Sequence, residues 1–139
     1  PFYCPYTGYH VELANGRTVL NYNEGFNSKM TDVEINALGQ QVRTDILLAG
    51  MQLDFVDDVA RGARALQPEM VILYPPHDKF HAMMGVASRP WSEFKAAVQL
   101  AVPNAKVFIA EPGDGFDLQT FERLAPLASV DPALSIQSA

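Results

Sequence analysis

Two short segments concentrate the residues whose types could do chemistry. Pro75-Pro76-His77-Asp78-Lys79 follows one apolar run, and Glu111-Pro112-Gly113-Asp114-Gly115 follows another. A histidine titrates near neutrality, and a neighbouring carboxylate can orient its ring and stabilise its charged form. If the two runs are adjacent parallel strands, both segments share the rim at the strands' C-terminal ends, where open sheets tend to bind ligands. His77, Asp78 and Asp114 are then the expected acid–base residues of a hydrolase or lyase, with Lys79 and Glu111 beside them. His77 and His81 are four apart and would share a helix face as metal ligands do, with His10 or Cys4 as a third ligand. Pro75-Pro76 disfavours regular helix before His77, however, and no third ligand stands at a motif spacing. Neither a metal nor a cofactor is expected. Gly113-Asp114-Gly115 could offer backbone N–H groups to an anion, but the acids around it would repel phosphate.

A second candidate is Pro1. A secondary amine at a free N-terminus serves as a base or nucleophile when burial or a cationic neighbour lowers its pKa. On that one residue the chain resembles the tautomerase superfamily. The resemblance implies a small oligomeric α/β enzyme that uses Pro1. Removal of an initiator methionine would also expose an ordinary proline.

A third group of residues suits contact surfaces. Phe2, Tyr3, Tyr6, Tyr9, Tyr22 and Phe26 crowd the first 26 residues, and such rings bury large areas at modest entropic cost. At the other end, Leu134 and Ile136 are two apart and would point the same way from an extended tail. Phe2, Tyr3, Tyr6, Leu134 and Ile136 are the expected interface residues.

The elements that must position these groups are read from periodicity. Tyr9–Leu13 and Thr18–Tyr22 flank Asn15-Gly16, a pair suited to the positive φ angles of a two-residue type I′ hairpin turn. Thr31-Asp32-Val33-Glu34 is a capping box, and Ile35, Leu38, Val42, Ile46 and Ala49 continue from it as one helical stripe ended by Gly50. Gly39 interrupts that helix and is expected to mark a close approach. Asp54 opens a second helix, with Phe55, Val56, Val59, Ala63 and Leu66 as its apolar stripe and Pro68 beyond its end. Met70–Tyr74 and Lys106–Ala110 read as buried strands, joined by a helix from Pro90 to Ala101 as a parallel β-α-β unit. Ala82–Ala87 is an optional short strand. Asp117 is expected to cap a last helix with Leu118, Phe121 and Leu124 inward.

The 139 residues are expected to form one domain over 1–128, with a tail over 129–139 docked on a neighbour. The fold class is α/β or α+β: a single layered domain with an N-terminal β-hairpin and a β-α-β unit, helices packed on the sheet. Apolar residues make up 48%, and 10 Lys+Arg against 16 Asp+Glu leave a net charge of −6. The absence of a basic cluster argues against nucleic acid. No run approaches the roughly 18 apolar residues of a membrane span, and no signal peptide is recognised, so a soluble protein, cytoplasmic or particle-associated, is expected. The single Cys4 rules out an internal disulfide.

The favoured reading is a non-enzymatic structural or assembly subunit of a homo-oligomer or larger particle. The alternatives are the Pro1 enzyme and the hydrolase or lyase at a His77/Asp114 rim. The hairpin supplies a direct check. Gly16→Val forces a β-branched residue toward positive φ, and its melting temperature is expected to fall below that of the wild type.

Overall fold

The computed structural model describes residues 8–23, 26–76, 78–83 and 85–125. It is a mixed α/β domain built on a five-stranded sheet. In chain order the elements are β1 (Tyr9–Glu12), β2 (Thr18–Asn23), α1 (Asp32–Gln41), β3 (Ile46–Gly50), α2 (Val56–Leu66), β4 (Met70–Tyr74), α3 (Asp78–Met83), α4 (Trp91–Ala101), β5 (Lys106–Ile109), β6 (Phe116–Asp117) and β7 (Glu122–Arg123). The sheet runs β1-β2-β3-β4-β5, with β1 antiparallel to β2 and every later pair parallel. β6 and β7 form a separate antiparallel ribbon.

Alternate residues of each strand point to opposite faces. On one face Leu20, Leu47, Ala49, Val71, Leu73 and Val107 meet Leu38 of α1, Val59 and Ala63 of α2, and Phe94 and Val98 of α4. All three crossover helices therefore lie on that face. On the other, Val19, Ile46, Leu48, Met70, Ile72 and Phe108 meet Phe116, Leu118 and Phe121 of the β6–β7 ribbon. α2 is wedged between its neighbours by two glycines. A β-carbon at Gly39 would sit 2.2 Å from the Ala65 carbonyl oxygen, so α1 and α2 touch backbone to backbone. A β-carbon at Gly62 would sit 2.4 Å from the ring of Phe26, which is buried and tilted against Tyr22 at 4.8 Å.

Several expectations hold. The hairpin, the parallel β-α-β unit, the Thr31/Glu34 capping box and the close approach at Gly39 are all present. The hairpin turn differs in type. The Leu13 carbonyl accepts from the Gly16 N–H at 2.8 Å, and the Leu13 N–H donates to the Arg17 carbonyl at 2.8 Å. Of Asn15-Gly16 only Gly16 takes a positive φ, +79°, so the loop is a longer turn closed by a glycine bulge.

The helix expected from Thr31 to Ala49 stops at Gln41, and Ile46–Gly50 is the central strand β3. Ile46 and Ala49 fit a helical stripe by coincidence of spacing. A strand buried on both faces shows a continuous apolar run with no alternation to betray it. Gly50 thus ends a strand rather than a helix. Ala82 and Met83 close the short helix α3, and Gly85 turns the chain at φ +69°, in place of the optional strand. The last expected helix is the β6–β7 ribbon. Asp117 does act as a cap, accepting from the N–H groups of Gln119 (2.8 Å) and Thr120 (3.1 Å), but Phe121 at φ +56° reverses the chain before a helix can form.

Gly39→Ala tests the α1–α2 contact. Alanine favours helix by about 1 kcal/mol, yet the contact with Ala65 leaves no room for it. The variant is expected to lose about 1–3 kcal/mol, read as a lower urea midpoint at unchanged slope.

Candidate functional site

The C-terminal ends of β3 and β4 and the segment before α4 meet at one rim of the sheet. β3 ends at Gly50, and the chain turns through Met51, Gln52 and Leu53 into α2. Gln52 is buried beside Gly50 and the Tyr74 ring, so a β-carbon at Gly50 would touch both at 3.2 Å. The Tyr74 hydroxyl lies 3.4 Å from Asn21 Oδ1 on β2. Leu53 takes a left-handed backbone, φ +46°, which costs a branched side chain energy and persists only where its surroundings hold it. They do so from both sides. The Leu53 N–H donates to Ser88 Oγ at 3.0 Å, and the Leu53 carbonyl accepts from the Arg89 N–H at 2.7 Å.

Ser88 also lies 3.3 Å from Nδ1 of His81, which is buried in α3. A shallow cleft of about 380 Å³ opens over this pair, lined by His81, Ala82, Val86, Ser88, Arg89 and Trp91. The Arg89 guanidinium is held by Glu93 at 2.6 Å across one turn of α4. A second cleft, about 400 Å³, lies at the opposite ends of the strands between Pro68, Glu69, Pro103, Lys106 and Phe121.

The residues singled out in the sequence fall as follows. Pro1, Phe2, Tyr3, Cys4, Tyr6, His77, Leu134 and Ile136 lie outside the described residues, as does the whole tail over 129–139. Asp78 opens α3 and Lys79 is exposed on it. Asp114 closes its own turn: its carboxylate accepts from the Glu111 N–H at 2.7 Å and pairs with Arg123 at 3.2 Å. His81 faces Ser88, and His10 Nε2 lies 2.9 Å from the Arg43 carbonyl oxygen at the far end of the sheet. The structure therefore places His10 and His81 at opposite ends of the sheet. Among the described residues no three His, Cys, Asp or Glu converge as metal ligands, and no helix is long and apolar enough to cross a membrane. Ser88, Gln52 and Leu53 went unremarked in the sequence. The polar Gln52 between Met51 and Leu53 is the one local signal at this rim.

At the N-terminal ends of the strands sits a different arrangement, built for structure. The buried Asp45 carboxylate accepts from the Thr18 N–H (2.8 Å), the Thr18 hydroxyl (3.1 Å) and Arg43 (3.1 Å). Its own carbonyl accepts from Glu69 and Met70, so one residue ties β2, β3 and β4 together. Burial pushes this carboxyl up, but the Thr18 N–H, the Thr18 hydroxyl and Arg43 together outweigh it and hold it below its ordinary value of 3.8. A carboxyl lowered by folding stabilises the protein above its unfolded value, and that contribution is lost as pH falls through the folded one. Asp45→Asn is therefore expected to cost about 1–3 kcal/mol near pH 7. Its deficit against the wild type should shrink as pH drops below 3.8, read from paired denaturant titrations across that range.

Compared with protein-family models, curated proteins and solved structures, the chain matches none of them.

Proposed function

We propose that this chain is an assembly subunit, and that the sheet face opposite its helices packs on the same face of a second copy. The observation that carries the reading is the uneven cover of a parallel sheet. Parallel strands occur almost only where both faces are buried. Here α1, α2 and α4 all contribute to one face, and the small β6–β7 ribbon contributes to the other. Its three aromatic and aliphatic side chains meet Ile46, Met70, Ile72 and Phe108, and among the described residues the β1 side is left open. Tyr9 and Val11 stand opposite Asn21 and Val19 in register, and are 65% and 49% exposed. Val19 and Leu48 beside them are half-buried.

Charge supports an apolar partner. The ion pairs around the covered part of this face, Arg17–Glu69, Lys106–Glu122 and Arg123–Asp114, are each neutralised within the chain. Two sheets stacked face to face pack about 10 Å apart with interdigitating side chains. A two-fold pair would set the Tyr9/Val11 row of one copy against the Val19/Leu48 row of the other. Of the two enzymatic alternatives, Pro1 and His77 lie outside the described residues, and Asp114 is engaged with the Glu111 N–H and Arg123.

Light scattering at micromolar concentration is expected to give twice the chain mass for the wild type. Val11→Lys places a charge in the proposed contact on a strand that already faces solvent, and is expected to give the monomer mass with an unchanged circular dichroism spectrum. A monomeric wild type, or a Val11→Lys variant that associates as well as the wild type, would overturn the proposal.

A further inference from the structure

We propose that Ser88 and His81 form a nucleophile–base pair that cleaves small, uncharged acyl esters in the cleft above them. The site stands apart from the assembly face: it is built by α3 and the segment entering α4, and neither supplies a residue to the open sheet face. Three features argue for it together. The first is reach. Ser88 Oγ and His81 Nδ1 are 3.3 Å apart, a separation expected of a nucleophile and its base before substrate tightens the site.

The second is orientation. The Leu53 N–H occupies one lone pair of Ser88 Oγ at 3.0 Å, which leaves the hydroxyl proton available to the imidazole in the tautomer whose Nδ1 carries no hydrogen. That N–H is delivered by a backbone in the left-handed region, clamped on its carbonyl side by the Arg89 N–H. Held strain of this kind concentrates where a group must be aimed. The third is access. His81 is only 5% exposed, while Ser88 remains partly open to the cleft. A base shielded from water beside an accessible hydroxyl suits the first proton transfer of acyl transfer.

The lining sets the substrate class. Ala82, Val86, Pro90 and Trp91 present an apolar wall. Arg89, the cation at the mouth, is already neutralised by Glu93 and so does not select an anion. In the reaction, Ser88 Oγ adds to the ester carbonyl as its proton passes to His81 Nδ1. Collapse expels the alcohol, which takes that proton and leaves the acyl group on Ser88. Water then adds to the acyl carbonyl and gives a proton to His81. Ser88 departs with that proton as the free acid is released.

p-Nitrophenyl acetate is the probe. Incubation with the wild-type chain is expected to release p-nitrophenolate in a burst approaching one equivalent, and peptide mapping should place an acetyl group on Ser88. His81→Asn is expected to lose the Ser88 label at least tenfold while keeping the wild-type circular dichroism spectrum, and Ser88→Ala to lose the burst. Because the mapping uses the wild-type chain, it stands even if a variant fails to fold. No acetyl group on Ser88, or Ser88 labelling that persists in a folded His81→Asn chain, would overturn the proposal and leave the pair as a clasp between α3 and the Leu53 turn.

Discussion

The rest of the structure depends on one constraint: four parallel strands, rich in Ile, Leu and Val, must be covered on both faces. The strand order follows the chain order from β2 to β5 without a reversal, and right-handed crossovers then send every connecting helix to the same side. That side closes well. Glycines at 39 and 62 let α1, α2 and Phe26 approach to backbone distance, and Phe94 and Val98 of α4 are fully buried. Among the described residues no helix packs on the opposite face, because none of these crossovers returns to it. Among the described residues a short aromatic ribbon is what lies there, and it reaches from Phe108 of β5 to Val19 of β2 while Tyr9 and Val11 of β1 stay exposed.

Cations fix that ribbon to the sheet. The Arg17 guanidinium lies 4.1 Å from the Phe121 ring centroid and 3.1 Å from Glu69. Arg123 sits over both Phe108 and Phe116 while donating to the Ile109 carbonyl. The two arginines thus cover aromatic surface with their planar groups and keep their charges satisfied. The same economy appears at the helix ends, where Arg61 bridges Asp32 of α1 and Asp58 of α2 at 2.5 Å each, and both contacts raise its pKa.

The two ends of the sheet differ in the kind of polar group they hold. At the N-terminal ends Asp45 and Thr18 form a closed set of mutual hydrogen bonds, which rigidifies the strands and leaves little chemistry to spare. At the C-terminal ends Gln52, Tyr74, Ser88 and His81 stand around a strained turn, beside an open cleft. The clefted end is the one at which open parallel sheets tend to bind ligands.

Much of this was legible in the residues alone. The Asn15-Gly16 hairpin, the Thr31/Glu34 box, the apolar stripe of α2 and the pair of strands around α4 are local patterns, decided within a turn or two of chain. Gly39 announced a close contact because a glycine inside a helix needs a reason. Tertiary structure alone decided the rest. Ile46–Ala49 became the central strand since its apolar run could be buried on both faces only inside the sheet, a demand that no local period records. Leu118 and Phe121 turned inward from a ribbon rather than a helix because the uncovered face needed aromatic area over a short span. And Ser88 lies between His81, seven residues earlier, and the Leu53 N–H, thirty-five positions earlier: hydrogen bonds between distant loops leave no signature in spacing.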